Sequence, residues 1–306
     1  MTTGSPRVCV APSGSPRWVI DAVIDGGGEP VDADLATAVV WTSAGDAEGL
    51  ARLLDEHPHL EWVQVPFAGV ENFVPFVDDA RTWTCGKGVY ADPVAEHALA
   101  LALAGMRHVG GYSRAAAWSG PVGRNLKGAS VTILGGGGIT RSLIDLLEPF
   151  DCDVTVVRRT VEHVDGASTV VGTDNLVDAL VGADVVFLAL ALTPETVGII
   201  GASELSVMED HAWIVNVARG AHIVTDDLVD ALRAGSIGGA ALDVTDPEPL
   251  PADHPLWSLP NCIITPHVGN TPEMAVPLLS ERIRENVRRY GSKEPLIGLI
   301  DPRLGY

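Results

Sequence analysis

Short β-branched runs alternate with amphipathic stretches along most of this chain. In the first third, "RVCVA", "AVVW" and "LEWVQV" have the pattern of buried strands, and "DAEGLARLLDEHP" carries its apolar residues at helical spacing. Residues 93–109, "PVAEHALALALAGMRHV", predict one long helix with Pro93 tolerated in its first turn, apolar enough to be buried on most sides. Beyond it, strands recur at "SVTIL", "DVTVV", "STVVG", "DVVFLAL", "AWIVNVA", "GAALDV" and "CIITPH", seven in about 145 residues. Helical patterns fill most of the gaps. One of them, "TDDLVDALRAG", offers Thr225 as a candidate N-cap and Gly235 as a candidate C-cap. The tail, "TPEMAVPLLSERIRENVRRYG", predicts a final helix. Strand–helix alternation of this kind predicts a parallel α/β fold, and seven strands in one block predict a doubly wound sheet.

Composition narrows the function classes. The 306 residues are 46% hydrophobic and 20% charged, as in a globular protein with a sizeable core. Twenty Lys and Arg against 40 Asp and Glu give a formal charge of −20, which repels nucleic acid and anionic membranes. Neither is an expected partner. A small anionic substrate answers instead to local charge inside a cleft. Cys9, Cys85, Cys152 and Cys262 form no C-x-x-C pair, so no disulfide framework or metal site is expected and a cytoplasmic location fits. The stretches "HALALALAGM" and "DVVFLALAL" are too short to span a bilayer, and "MTTGSPRVCVAPSGSPR" lacks the apolar core of a signal peptide.

"LGGGGIT", residues 134–140, puts four glycines where the strand "SVTIL" gives way to a helical pattern at Ile139, Leu143, Leu146, Leu147 and Phe150. Glycine weakens helix and strand alike, so four in a row need a reason. A glycine cluster by itself marks an ordinary turn as readily as a nucleotide site. The surrounding strands and helices favour the nucleotide site. Gly135 would make the tight turn and Gly137 would let the backbone approach a pyrophosphate. Gly138 and Ile139 would open the helix whose N-terminus receives it. The third fingerprint position is Thr140, which is expected to loosen helix–strand packing while leaving the phosphate contacts possible. The residues after the next strand, "VTVV", are Arg158, Arg159 and Thr160, where an NAD-preferring site places Asp or Glu. Two guanidinium groups favour NADP(H), with NAD(H) the other possibility.

Arg219 follows "IVNVA", Glu248 follows "GAALDV" by a short loop, and His267 closes "CIITP". Each alone reads as a surface charge or a structural histidine. Together at strand ends, where open α/β sheets bind ligands, they form a candidate constellation. The ordered set "FAGVENF", "PVAEHALALALAGMR", "LGGGGIT", "LALTPETVGII", "NVARG", "GAALDVTDPEPLPADHPLW" and "ITPHVGNT" resembles the D-isomer-specific 2-hydroxyacid dehydrogenase family, from about residue 35 to the tail.

The resemblance, nearest to short glyoxylate/hydroxypyruvate reductase-like members, implies two doubly wound parallel-sheet domains. A Rossmann cofactor domain, residues 98–272, would be inserted in a flavodoxin-like substrate domain made of residues 1–97 and 273–306. It implies that Arg219 binds the substrate carboxylate, that His267 and Glu248 form the acid–base pair, and that backbone N–H groups at Ala68 and Gly69 help hold the carboxylate. Leu190, Val217, Asp243, His267 and Gly269 would lie along the nicotinamide side. Ala189 and Ala191 stand where many relatives have histidine and proline, so contacts there are expected from the backbone onward of Leu190. A homodimer built around the 93–109 helix is also implied. Reduction of a 2-oxo acid develops negative charge on the carbonyl oxygen, which an imidazolium held by a carboxylate can protonate. The alternative is an NAD(P)-sensing, corepressor-like binding protein of the same fold.

Overall fold

The computed structural model describes residues 5–301. The chain divides into two compact units, Met1–Tyr90 with Thr271–Tyr306, and Ala91–Asn270.

In the first unit, β1 (Arg7–Ala11), α1 (Arg17–Asp25), β2 (Glu29–Pro30), β3 (Ala38–Trp41), α2 (Ala47–Glu56), β4 (Trp62–Gln64) and β5 (Thr82–Thr84) follow one another. The parallel sheet has the order β2-β1-β3-β4-β5, the doubly wound order of the flavodoxin type. Three of these strands carry the expected apolar runs. β2 is two exposed residues ending in a proline, and β5 is Thr-Trp-Thr, so neither carries an apolar run. Val39, Val63 and Trp83 join Leu50, Leu54 and Phe73 in one core. The last helix of the chain, α9 (Pro272–Ser292), packs along α1 in this unit. Its buried Asn286 donates to Gln64 Oε1 (2.9 Å) and to the Ile297 carbonyl (2.9 Å), and accepts from the Ile297 N–H (2.9 Å). A buried amide with its groups satisfied in this way fixes the helix against the sheet.

The second unit runs α3 (Ala91–Met106), α4 (Val109–Arg114), β6 (Ser130–Leu134), α5 (Gly138–Leu147), β7 (Asp153–Val157), β8 (Thr169–Val171) and α6 (Leu176–Leu180). It continues with β9 (Val185–Leu188), α7 (Ala202–Val207), β10 (Trp213–Asn216), α8 (Thr225–Ala234), β11 (Gly239–Leu242) and β12 (Cys262–Ile264). Its parallel sheet has the order β12-β11-β10-β9-β6-β7-β8, so the strand order reverses between β6 and β9. That is where such sheets open a crevice for a ligand.

Side chains alternate across this sheet. Val131, Ile133, Val185, Phe187, Trp213 and Val215 enter one core, while Leu134, Val186, Leu188, Ile214, Ala240 and Leu242 enter the other. Burial on both faces is why these strands read as continuous apolar runs.

Two local expectations need correction. The long apolar helix is not continuous. It ends at Met106, His108 turns left-handed (φ 54°), and α4 starts anew at Val109. Because α3 packs on α5, β10 and β11, all of it belongs to the second unit, which begins at Ala91. Thr225 is not an N-cap: it is the first residue of α8, and its hydroxyl donates to the Asp246 carbonyl (2.7 Å). Gly235 does cap α8, in the left-handed conformation (φ 66°) that favours glycine there.

Candidate active site

The carboxyl edge of the second sheet carries the chemistry-bearing residues. Gly135 follows β6, and its φ of 114° excludes most side chains. Space excludes them as well, because a Cβ there would lie 2.2 Å from the Ala189 carbonyl oxygen beyond β9. A Cβ on Gly137, the residue before α5, would meet nothing within 4 Å. The turn is therefore tight against the sheet on one side and open on the other.

The open side lies at the first turn of α5, whose leading N–H groups have no partner within the helix. The departure at Thr140 proves structural. Thr140 is fully buried and its hydroxyl donates to the Gly135 carbonyl (2.9 Å), tying the helix back to the turn where a third glycine would only pack closely.

Arg158 follows β7, and its Nε would lie 2.9 Å from a Cβ on Gly136, so its stem runs beside the glycine turn. Its Nη2 pairs with Glu162 Oε2 at 3.2 Å. Arg159 is the next residue. Across the crevice, the fully buried His222 reaches the Thr196 carbonyl with Nδ1 (3.0 Å) and the Leu190 carbonyl with Nε2 (3.3 Å). It holds the segment that contains Leu190.

This donor set fits a dinucleotide. The open glycine backbone and helix N-terminus suit a pyrophosphate, and the cations at the end of β7 suit the adenosine ribose or its phosphate.

Arg219 lies three residues past β10, and one N–H of its guanidinium donates to the Ala218 carbonyl (2.7 Å). Its loop is held by the buried Asn216, which donates to the Arg219 carbonyl (2.9 Å) and accepts from the Ala218 N–H (3.0 Å). Val217 is buried beneath the same loop. His267, past β12, and Glu248, past β11, meet directly: Nδ1 lies 2.7 Å from Oε1. Their side chains remain 51% and 42% exposed, so the pair faces outward from this unit.

His267 has φ 54°, left-handed for a non-glycine residue, and its N–H donates to the carbonyls of Asp243 (2.8 Å) and Thr265 (3.0 Å). Asp243 is 3% exposed and accepts from the Thr265 hydroxyl and the N–H groups of Val268 and Gly269. Burial alone would raise its pKa. The hydrogen bonds from His97, Thr265, Val268 and Gly269 more than offset this and hold it at about 2.

Ala68 and Gly69 lie in the loop that follows β4 in the first unit. Sequence reasoning missed His97, His222 and Thr265, and took Thr140 for a loosening of the packing that its bond to Gly135 in fact tightens. The signal for His97 was a polar ring, beside Glu96, at the start of the apolar stretch of α3. Among the described residues no cluster of three His, Cys, Asp or Glu side chains is placed to hold a metal. No helix among them is long and apolar enough to cross a membrane.

Comparison with known proteins gives this edge a family. The profile described as "D-isomer specific 2-hydroxyacid dehydrogenase, NAD binding domain" matches residues 98–269, more than half of the chain. An "uncharacterized protein in proB 3′region" from Corynebacterium melassecola is 38% identical over 93% of this chain and 95% of its own length. A glyoxylate/hydroxypyruvate reductase A from Yersinia enterocolitica is 35% identical over 58% of this chain; the match spans 56% of that reductase, about half its length.

A solved D-isomer specific 2-hydroxyacid dehydrogenase from Xanthobacter autotrophicus Py2, in complex with NADPH and MES, superposes with a TM-score of 0.84 at 27% identity. That match covers 99% of this chain and 100% of the other. A glycine turn at the switch point, a His–Glu pair at the strand ends and a match that runs nearly end to end lead to one assignment: the chain belongs to the D-isomer specific 2-hydroxyacid dehydrogenase family.

Proposed function

We propose that the protein is an NAD(P)H-dependent reductase of small 2-oxo acids, running in reverse as a D-2-hydroxyacid dehydrogenase. One observation carries this reading: His267 Nδ1 is held 2.7 Å from Glu248 Oε1 at the sheet edge that also bears the glycine turn and Arg219. The bound nicotinamide would supply the hydride. Everything else falls to the chain. With Nδ1–H donated to Glu248, the Nε2–H of His267 is the group left to protonate the carbonyl oxygen as negative charge develops on it. Arg219 presents a planar fork to the substrate carboxylate.

The dinucleotide would rest on Gly135, Gly137, Gly138 and Ile139, with Leu190, Val217, Asp243, His267 and Gly269 on the nicotinamide side. NADP(H) is preferred over NAD(H) in this proposal. Arg158 beside Gly136, with Arg159 next to it, offers a 2′-phosphate charge-assisted hydrogen bonds, and the Xanthobacter relative binds NADPH. Glyoxylate and hydroxypyruvate are the first substrates to try, after the reductase named above.

The protein acts as a cytoplasmic homodimer. Exposed apolar side chains next to α3, at Val109, Tyr112, Trp118 and Val122, support a second copy as the partner.

The test is turnover of the purified protein with glyoxylate, hydroxypyruvate and pyruvate, each with NADPH and with NADH. Turnover of at least one acid, with higher kcat/KM for NADPH that narrows or reverses in Arg158→Asp, is the expected result. A wild type that prefers NADH sinks the cofactor assignment. Tight NADPH binding without turnover of any 2-oxo acid would favour a cofactor-sensing binding protein instead.

A further inference from the structure

The turn that carries His267 rests on a half-buried side chain from a helix distant in sequence. His97 sits on α3, and its Nε2 lies 3.0 Å from Thr265 Oγ1 and 3.2 Å from Asp243 Oδ1. Thr265 has one hydroxyl proton, and it is donated to Asp243 Oδ1 at 2.6 Å. At the His97 contact Thr265 can therefore only accept, as can the carboxylate, so the proton between them belongs to Nε2 of His97. Donor accounting thus specifies the protonated ring nitrogen.

The same carboxylate takes the N–H groups of Val268 (2.9 Å) and Gly269 (2.9 Å), one on each oxygen. Between them, these bonds clamp both sides of His267, whose own N–H is held by the Asp243 and Thr265 carbonyls. The clamp is closely packed: a Cβ on Gly269 would come within 3.1 Å of Asp243 Oδ2 and 3.6 Å of the His97 ring.

We propose that His97 is a positioning residue: its Nε2–H locks the Thr265–Asp243 platform and thereby the left-handed turn that aims His267. The proposal rests on the reading of His267 as the proton donor. If the Nε2–H is removed, Thr265 and Asp243 lose a shared donor, and the hydroxyl is free to rotate away from the carboxylate. The turn then relaxes from a conformation that a non-glycine residue adopts only when its surroundings impose it. A displaced proton donor costs rate more than it costs binding, because its alignment matters most in the transition state.

The experiment compares His97→Leu, His97→Gln and His267→Ala in the full chain, with glyoxylate and NADPH as reactants. His97→Leu is expected to lower kcat by about 10- to 100-fold with little change in KM for glyoxylate. His97→Gln, which returns an N–H donor near the ε position, is expected to recover most of the loss. Binding of 2′,5′-ADP, which probes only the adenosine end, should be the same in all three variants and in the wild type.

Independently of turnover, long-range ¹H–¹⁵N correlation spectra of the wild type should show His97 protonated at Nε2. Wild-type kcat in His97→Leu, equal losses in the Leu and Gln variants, or an Nδ1–H tautomer would each overturn the proposal. If His97→Leu fails to fold, Thr265→Val against Thr265→Ser decides. Loss of kcat in the first with retention in the second supports the platform, and equal activity in both sinks it. A fully active His267→Ala would instead defeat the acid–base reading itself, so the two failures are told apart.

Discussion

At the scale of single residues, the proposed chemistry depends on a few polar groups held by short hydrogen bonds. Proton donation of the kind assigned to His267 is typically worth about 10² to 10⁴ in rate. His267→Ala should therefore lower kcat for glyoxylate reduction by at least about 10², and steady-state kinetics reads this directly. Near-wild-type turnover would remove the mechanism. Arg219→Lys keeps the charge but loses the planar fork, so kcat/KM should fall by more than about tenfold.

Asp243 makes a prediction about acid stability. Its folded pKa of about 2 lies below the ordinary carboxylate value of 3.8. A depressed carboxylate contributes stability that is present above the unfolded pKa and is lost as pH falls through the folded one. At about 1.4 kcal/mol per unit this amounts to about 2 kcal/mol, lost between about pH 4 and pH 2. Unfolding of Asp243→Asn followed over that window should show a shallower decline than the wild type. Parallel curves would mean that the depressed pKa contributes nothing to folding.

At the scale of elements, the β6–α5 turn separates what glycine does for folding from what it does for binding. Gly135→Ala places a Cβ 2.2 Å from the Ala189 carbonyl oxygen in a left-handed backbone, and β9 cannot retreat from the middle of the sheet. It should destabilise the second unit by more than about 1 kcal/mol, visible as a lower Tm. Gly137→Ala meets no atom within 4 Å and should leave Tm nearly unchanged, while its methyl group occupies the space a pyrophosphate needs. Its signature is weaker NADPH binding by calorimetry. Equal melting of the two variants would show that the turn is not held by β9.

At the scale of the whole molecule, charge and exposed apolar surface oppose each other. A chain of formal charge −20 repels its own copies, and added salt screens that repulsion. The proposed homodimer is expected to bind through apolar side chains such as the fully exposed Trp118, so its Kd should fall as ionic strength rises. Sedimentation velocity across a salt series measures this. A monomer at every salt concentration, or a dimer that salt dissociates, would exclude an interface of that kind.

Along the second unit, local pattern alone was enough to locate every strand: the central strands, buried on both faces, demand apolar runs, and the partly buried edge strand β8 still carries Val170 and Val171. Local pattern also located the glycine turn, since its position between a strand and an amphipathic helix is written in consecutive residues. The residue types at the strand ends, Arg219, Glu248 and His267, were legible for the same reason. β2 and β5 of the first unit were not, because the exposed Glu29–Pro30 and the Thr-Trp-Thr of β5 carry no apolar run.

Partners were decided only by the tertiary structure. Thr225 reads as a cap until Asp246 is found beside its hydroxyl, and Thr140 reads as a defect in the glycine pattern until its bond to Gly135 is seen. His97 and Thr265 are 168 residues apart and meet only because α3 packs over β10 and β11. Periodicity reports which face of an element is buried. Which polar atom lies 3 Å from another depends on how distant elements pack, and that is a property of the folded chain alone.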